Sequence, residues 1–304
     1  MVKFQKNKCK DDLCSQQIEL FIHHLQVEKN YADNTISAYQ RDLRKLLAFC
    51  QGRDMTEWCD IDIKMLNLFV MELRHAGTSN SSIRRHLSSI RGFFSFLLRL
   101  GVLSENCAKD ISSPKLEQTL PKTIDYEELC KMMRPRSSRF DELRNVALIE
   151  LIYSCALRVS ELVSVDLNDM DLKEGFVKVM GKGGKERFVP VGQSAITAIN
   201  RYLSKRPVCE SSALFINQKQ NRVGVRSVQN IIKQRALDVG ITFNVHPHML
   251  RHAAATHFLQ SSHDLRSVQE FLGHKSIKST QVYTHLDFLE LSKVYDNCHP
   301  RAKK

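Results

Sequence analysis

The 304-residue chain has no apolar stretch long enough to cross a bilayer. Its longest runs, Phe93 to Val102 and Val146 to Leu157, are short and carry Arg99 and Glu150. Residues Met1 to Lys10 lack the apolar core of a secretory signal. The nine cysteines are odd in number, scattered, and contain no Cys-x-x-Cys pair. Reduced thiols filling small apolar spaces account for them better than disulfides or a zinc site. An HExxH string, internal repeats and low-complexity segments are missing as well. These absences predict a soluble, cytoplasmic, globular protein without membrane insertion.

Acid is the charge in short supply. Lys plus Arg number 45 against 33 Asp plus Glu, a formal charge of +12. Such an excess favours a polyanion whose counterions are released on contact; nucleic acid is the first candidate and an anionic membrane surface the competing one. With 42% hydrophobic and 26% charged residues, the chain can close a core, and its length allows two.

Apolar residues recur at helical spacing in four stripes: Ile18, Phe21, Ile22, Leu25; Ile36, Tyr39, Leu43, Leu46, Leu47, Cys50; Leu66, Phe69, Val70, Leu73; and Ile83, Leu87, Ile90, Phe94, Leu97, Leu98. Gly77 and Gly101 stop the last two. A four-helix bundle is predicted over residues 1–112. On its fourth helix Arg84, Arg85, His86, Arg91 and Arg99 stand away from the apolar stripe. Arg84, Arg85 and Arg91 are candidates for contacting a sugar-phosphate backbone, although a charge run is more often a solvated face.

Between Ser104 and Thr123 the periodicity lapses and Pro114, Lys115, Pro121 and Lys122 appear, so a basic linker is placed at 113–123. A second domain, 124–304, opens with Asp125, Glu127 and Glu128 in a helix's first turn. A second apolar helix runs from about Leu143 to Ala156. Two β-prone runs, Phe176 to Val179 and Phe188 to Val191, flank the Gly-rich string Gly181 to Glu186 and read as a hairpin. Helices follow at Val225 to Leu237, His248 to Leu259 and Leu265 to Phe271.

Four strings could carry chemistry. Arg158 leaves the apolar helix within Ala-Leu-Arg-Val-Ser-Glu-Leu; it is either a helix-start arginine paired with Glu161 or a rigid fork for phosphate oxygens. Lys182, in the glycine-flanked turn, is either a solvated tip or a proton donor to a leaving oxygen, with Lys185 and Arg187 as nearby DNA-backbone contacts. His248 and Arg251 are one helical turn apart. His274 and Tyr283 stand nine residues apart (283 − 274) in a basic surrounding. Seven of the twelve histidines (246, 248, 252, 257, 263, 274, 285) crowd this region, which raises a metal site. It fares badly, because carboxylate and thiolate ligands are missing at metal spacing and two arginines would repel a dication. A tyrosine nucleophile must first become phenolate, which costs roughly 4 kcal/mol at pH 7 from a pKa near 10. Fixed cations lower that cost and stabilise the added charge of a five-coordinate phosphorus.

In this order the strings resemble the tyrosine recombinase (phage integrase-like) family over nearly the whole chain. The resemblance sets the family's Arg-Lys-His-Arg-His-Tyr group on Arg158, Lys182, His248, Arg251, His274 and Tyr283. The ending Leu272 to Lys304 is similar to bacterial Xer recombinases, nearer the XerC group than the XerD group. What the resemblance implies is a mainly α fold with a small β-hairpin or sheet, in which a SAM-like core-binding bundle and an α+β catalytic domain clamp DNA. Tyr283 would attack a phosphodiester to leave a 3′-phosphotyrosyl link and a free 5′-hydroxyl, with Lys182 as general acid and strand exchange through a Holliday junction. No cofactor and no metal are implied. Partners would be a dif-like DNA site, a XerD-like recombinase in a heterotetramer, and a DNA translocase of the division septum. Two departures stand out: Ala156 where glycine is common, and Gly184 where asparagine is frequent. The tail Leu286 to Tyr295, with Leu286, Leu289, Val294 and Tyr295 as an apolar face, either docks on a neighbouring subunit or packs on its own. A type IB topoisomerase has the same parts, and a helical DNA-binding regulator would use the basic faces alone.

Overall fold

The computed structural model describes residues 2–115, 123–181, 186–272 and 285–302. The chain divides into two compact units, Met1–Thr119 and Leu120–Lys304. Both are mainly helical, and the second holds a small sheet, the fold class that the sequence predicts.

In the first unit α1 (Val2–Val27), α2 (Asp33–Gln51), α3 (Ile63–His75) and α4 (Asn80–Arg99) surround one apolar core. Each turns its predicted stripe inward: Ile18 and Phe21, Leu43 and Leu46, Leu66 and Phe69, and Ile83, Leu87, Ile90 and Phe94 are all essentially inaccessible, and Phe93, outside the predicted stripe, is buried with them. Trp58 stands edge-on to Phe93, ring centroids 5.0 Å apart. Burying each such side chain contributes about 1.5–3 kcal/mol, so Leu87→Ala would cost about 2–5 kcal/mol. Caps set the starts: Asp62 accepts from the Met65 amide at 2.7 Å and Ser79 from the Ser82 amide at 3.3 Å. At the end of α4, Gly101 takes φ 71° and the Val102 amide returns to the Leu97 carbonyl, 3.0 Å. Leu98, counted in the stripe, lies instead on the exposed side, one residue's rotation from buried Leu97.

The second unit is built around α6 (Phe140–Cys155), which is preceded by α5 (Tyr126–Met132) and buried on nearly every face. A helix buried on nearly all sides belongs at the centre of a domain, and its buried Glu150 is paired there with Arg301. After it come α7 (Val159–Ser164) and an antiparallel sheet of β1 (Met170–Asp171), β2 (Phe176–Met180) and β3 (Glu186–Pro190), in that order. The predicted hairpin is β2–β3, with Val177 opposite Val189 and Val179 opposite Arg187. Then follow α8 (Gln193–Leu203), α9 (Val225–Asp238), α10 (Pro247–Ser262), α11 (Leu265–Leu272) and α12 (His285–Cys298). Neither β1 nor α8 was expected from the sequence. Among the described residues no helix is long and apolar enough to cross a membrane.

The tail corrects one expectation. Tyr295 is no docking face: it is fully buried in its own unit, 2.7 Å from the Ser154 hydroxyl and stacked on His299 at 4.5 Å. A little further on, Arg301 forms an ion pair with buried Glu150. A side chain at Gly192 would collide with the Arg301 carbonyl, so glycine is what lets the tail close on α8. Self-packing, the plainer alternative, holds for this residue, while the Leu286 and Leu289 side chains lie outside those described.

Candidate active site

The site begins with a strained turn. α6 ends in Ala156, a fully buried residue in the left-handed region (φ 46°, ψ 40°) that costs about 1–2 kcal/mol without glycine. The turn reverses the chain so that Arg158 becomes the N-cap of α7. One turn later Glu161 reaches back: its Oε2 accepts the Arg158 amide at 2.8 Å and its Oε1 the Arg158 guanidinium at 2.8 Å.

Glu161 is 4% exposed and does more than cap a helix. From β3, Arg187 donates to both of its oxygens, at 2.8 and 3.0 Å. From α10, Arg251 places Nη1 3.8 Å from Oε2. Arg251 also donates to the Ala156 carbonyl and, at 2.6 Å, to the carbonyl of Leu272. Three guanidiniums therefore face one carboxylate, leaving two positive charges in excess in a largely buried space. Electrostatics record the crowding. Burial lowers the Arg251 pKa to about 10, helped by the Arg158 and Arg187 charges and opposed by Glu161, so Arg251 stays protonated at neutral pH. Burial pushes the Glu161 carboxyl up, but hydrogen bonds and charge from Arg187 and then Arg158 outweigh it and hold it below the usual range. A cluster of this kind suits an anion: a phosphodiester brings one negative charge, and the five-coordinate phosphorus formed when a phenolate attacks it brings a second.

His248 is exposed near the start of α10, where His246 is the N-cap and Pro247 the first helical residue. It stands one turn from Arg251, at the positive end of the helix dipole. Burial, with His248 nearby, lowers the His246 pKa. Of the six predicted catalytic residues, the structure brings Arg158 and Arg251 together and puts His248 one turn away. Lys182, His274 and Tyr283 lie outside the described residues, as does Lys185. The histidine-rich region forms no group of three or more metal-ligating side chains among the described residues.

Two expectations change here. Arg187 is not a surface DNA contact, because the alternation of β3 turns it inward with Val189 and Glu161 engages it on both oxygens. Glu161, named at first only as a salt-bridge partner, is the hub. An arginine in phase with buried valines requires a buried carboxylate, and that alternation was readable.

In the first unit only Arg84 remains a plain surface cation among the three DNA candidates there. Arg85 grips buried Asp42 through two 2.9 Å bonds. Arg91 is spent on the carbonyls of Ala108 (3.0 Å) and Ile111 (2.5 Å) and on the Ser113 hydroxyl (3.2 Å), which fixes the chain after α4. His86, expected outside, is 3% exposed and 3.3 Å from Asp42. Burial lowers its pKa, Asp42 opposing.

Comparison with known proteins gives a consistent picture. Residues 122–290 match the phage integrase family, and residues 18–101 match the phage integrase N-terminal SAM-like domain. A tyrosine recombinase XerC of Pseudomonas fluorescens strain Pf-5 is 43% identical over 292 residues, covering 95% of this chain and 98% of that one. A tyrosine recombinase XerC of Alcanivorax borkumensis is 40% identical over 295 residues, 95% of each chain. Among solved structures, the XerH site-specific recombinase bound to its difH substrate before cleavage aligns with TM-score 0.63 and 26% identity, covering 86% of this chain and 76% of that one. A lambda integrase tetramer bound to a Holliday junction aligns with TM-score 0.70 at 15% identity, covering 88% and 79%, a likeness of fold.

Proposed function

The chain belongs to the phage integrase family of tyrosine recombinases, and from that premise we propose that it cleaves and rejoins DNA at a specific site through Tyr283. The observation that carries this reading is the excess of guanidinium charge around Glu161. Arg158 and Arg251 bind the non-bridging oxygens of the scissile phosphate. The Tyr283 oxygen attacks phosphorus, the bond to the 5′-oxygen breaks, and Lys182 supplies that oxygen's proton. His248 and His274 hydrogen-bond the phosphate or accept the proton of Tyr283. The bond energy stays in the 3′-phosphotyrosyl link, so a 5′-hydroxyl from a second duplex reverses the step without ATP, and two such exchanges pass through a Holliday junction. Losing one oxyanion donor costs about 10²–10³ in rate, which sets the weight of each arginine.

Connectivity supports the assignment. Arg251 holds the carbonyl of Leu272, the residue from which the chain runs on to His274 and Tyr283. The first unit would be the core-binding half of a DNA clamp, with 113–123 as its linker and Arg84 on the backbone. The XerC names of the relatives support a cytoplasmic enzyme that resolves chromosome dimers at a dif-like duplex site during cell division. Its partners would be a XerD-like recombinase in a heterotetramer and a septal DNA translocase.

A nicked suicide duplex tests the reaction. The protein should become covalently trapped, whereas Tyr283→Phe should retard the duplex without trapping; trapping by the Phe variant rejects the nucleophile. Excess EDTA should leave cleavage unchanged, and a strict need for a divalent cation would restore the metal reading.

A further inference from the structure

We propose that Arg187 is a positioning residue that ties the β2–β3 hairpin, whose strands flank Lys182 in the sequence, to the Glu161 carboxylate shared with Arg158 and Arg251. The inference rests on the recombinase reading and assigns to this arginine a role other than backbone contact. Three observations carry it. Arg187 is buried on the core face of β3, where its neighbours in phase are Val189 and Val191, so its charge is held inside for a reason other than solubility. It binds both oxygens of Glu161, the same two oxygens that hold the Arg158 amide and guanidinium and face Arg251. Its place in the ladder, opposite Val179, is one pair from the end of the sheet, which closes with Met180–Glu186 before the segment that carries Lys182.

The consequence is mechanical. α7 and β3 share one carboxylate as well as an apolar core, and a two-bond fork fixes orientation as well as distance. Without it the hairpin would keep its backbone pairing but could rock against α7, carrying the proton donor away from the leaving oxygen. The cations on the other side of Glu161 would stay where they are, because Arg158 and Arg251 still neutralise it. A displacement of about 1 Å costs about 10²-fold in rate. Burial raises the Glu161 pKa and Arg187 is foremost among the groups that bring it back down, in line with a fixed contact.

The test separates a lost proton donor from a lost anion clamp. In a duplex whose scissile 5′-oxygen is replaced by sulfur, the leaving thiol has a pKa of about 8.5 and departs without a donated proton. Arg187→Gln should cut cleavage of the ordinary suicide duplex by about 10²-fold and regain most of that loss on the sulfur duplex. Lys182→Ala should behave alike. Glu161→Gln, which releases the arginine pair as well, should stay impaired on both. Arg187→Lys, which keeps the charge but loses the fork, should fall between wild type and Arg187→Gln, and it decides the matter if Arg187→Gln melts or fails to retard DNA. Wild-type cleavage by the Arg187 variants, or a loss that sulfur does not relieve, overturns the proposal. If instead Lys182→Ala is not relieved by sulfur, the error lies in the general-acid reading and not in the tie.

Discussion

The first unit and the candidate site of the second use arginine in opposite ways. In the first, Arg85 is matched by the buried carboxylate of Asp42, and Arg91 by two carbonyls and a hydroxyl. In the second, Arg158, Arg187 and Arg251 share a single carboxylate. A matched cation is a structural tie. Cations in excess within a buried space are stable only if the fold compensates elsewhere, and the compensation has a purpose when an anion is to be bound. The same residue type thus separates scaffold from chemistry by the count of its partners.

Substitutions on either side sharpen the contrast. The largest effect is expected from Arg251→Gln, which should lower suicide-duplex cleavage by about 10²–10³ while DNA retardation persists; Arg85→Gln should leave the cleavage rate of bound protein unaltered. Next come the two carboxylates. Asp42→Asn should destabilise the first unit by about 3 kcal/mol in denaturant melts, because Arg85 loses its counter-charge and buried His86 its partner, with no change in cleavage by folded protein. Glu161→Gln should impair both stability and cleavage. It should also alter the acid limb of stability. The Glu161 pKa is depressed in the fold, so its contribution is present above the unfolded carboxylate pKa of about 4.3 and is lost as pH falls through the lower folded value. Acid melts of Glu161→Gln should therefore be flatter below about pH 4.3 than those of the wild type. A smaller loss, about 1–3 kcal/mol, should follow Arg91→Ala, which leaves buried carbonyls unpaired. Smallest is Arg84→Ala, which should reduce the salt slope of DNA binding by about 1 without moving the melting temperature. Equal effects of Arg91→Ala and Arg251→Gln on the cleavage rate would erase the distinction.

Much of this was legible in the sequence because it is local. Four apolar stripes give the bundle, and Gly77 and Gly101 stop helices by adopting φ near 70°. Helix α8 escaped notice because Ala195, Ile199 and Tyr202 are a sparse and chemically mixed stripe. What failed was non-local. His86 lies beside Leu87 and was placed outside, yet Asp42 on another helix makes its burial tolerable. Glu161 gathers arginines from positions 158, 187 and 251, and spacing along one helix reveals only the first. Arg187 carried a readable signal in strand alternation, overridden by its neighbours in a basic string.

The most direct measurement is the structure of the protein bound to its suicide duplex. The Arg158 and Arg251 guanidiniums should each lie about 2.7–3.1 Å from a non-bridging oxygen of the phosphate joined to Tyr283. A phosphate bound away from both, with the three arginines still closed on Glu161 alone, would contradict the account.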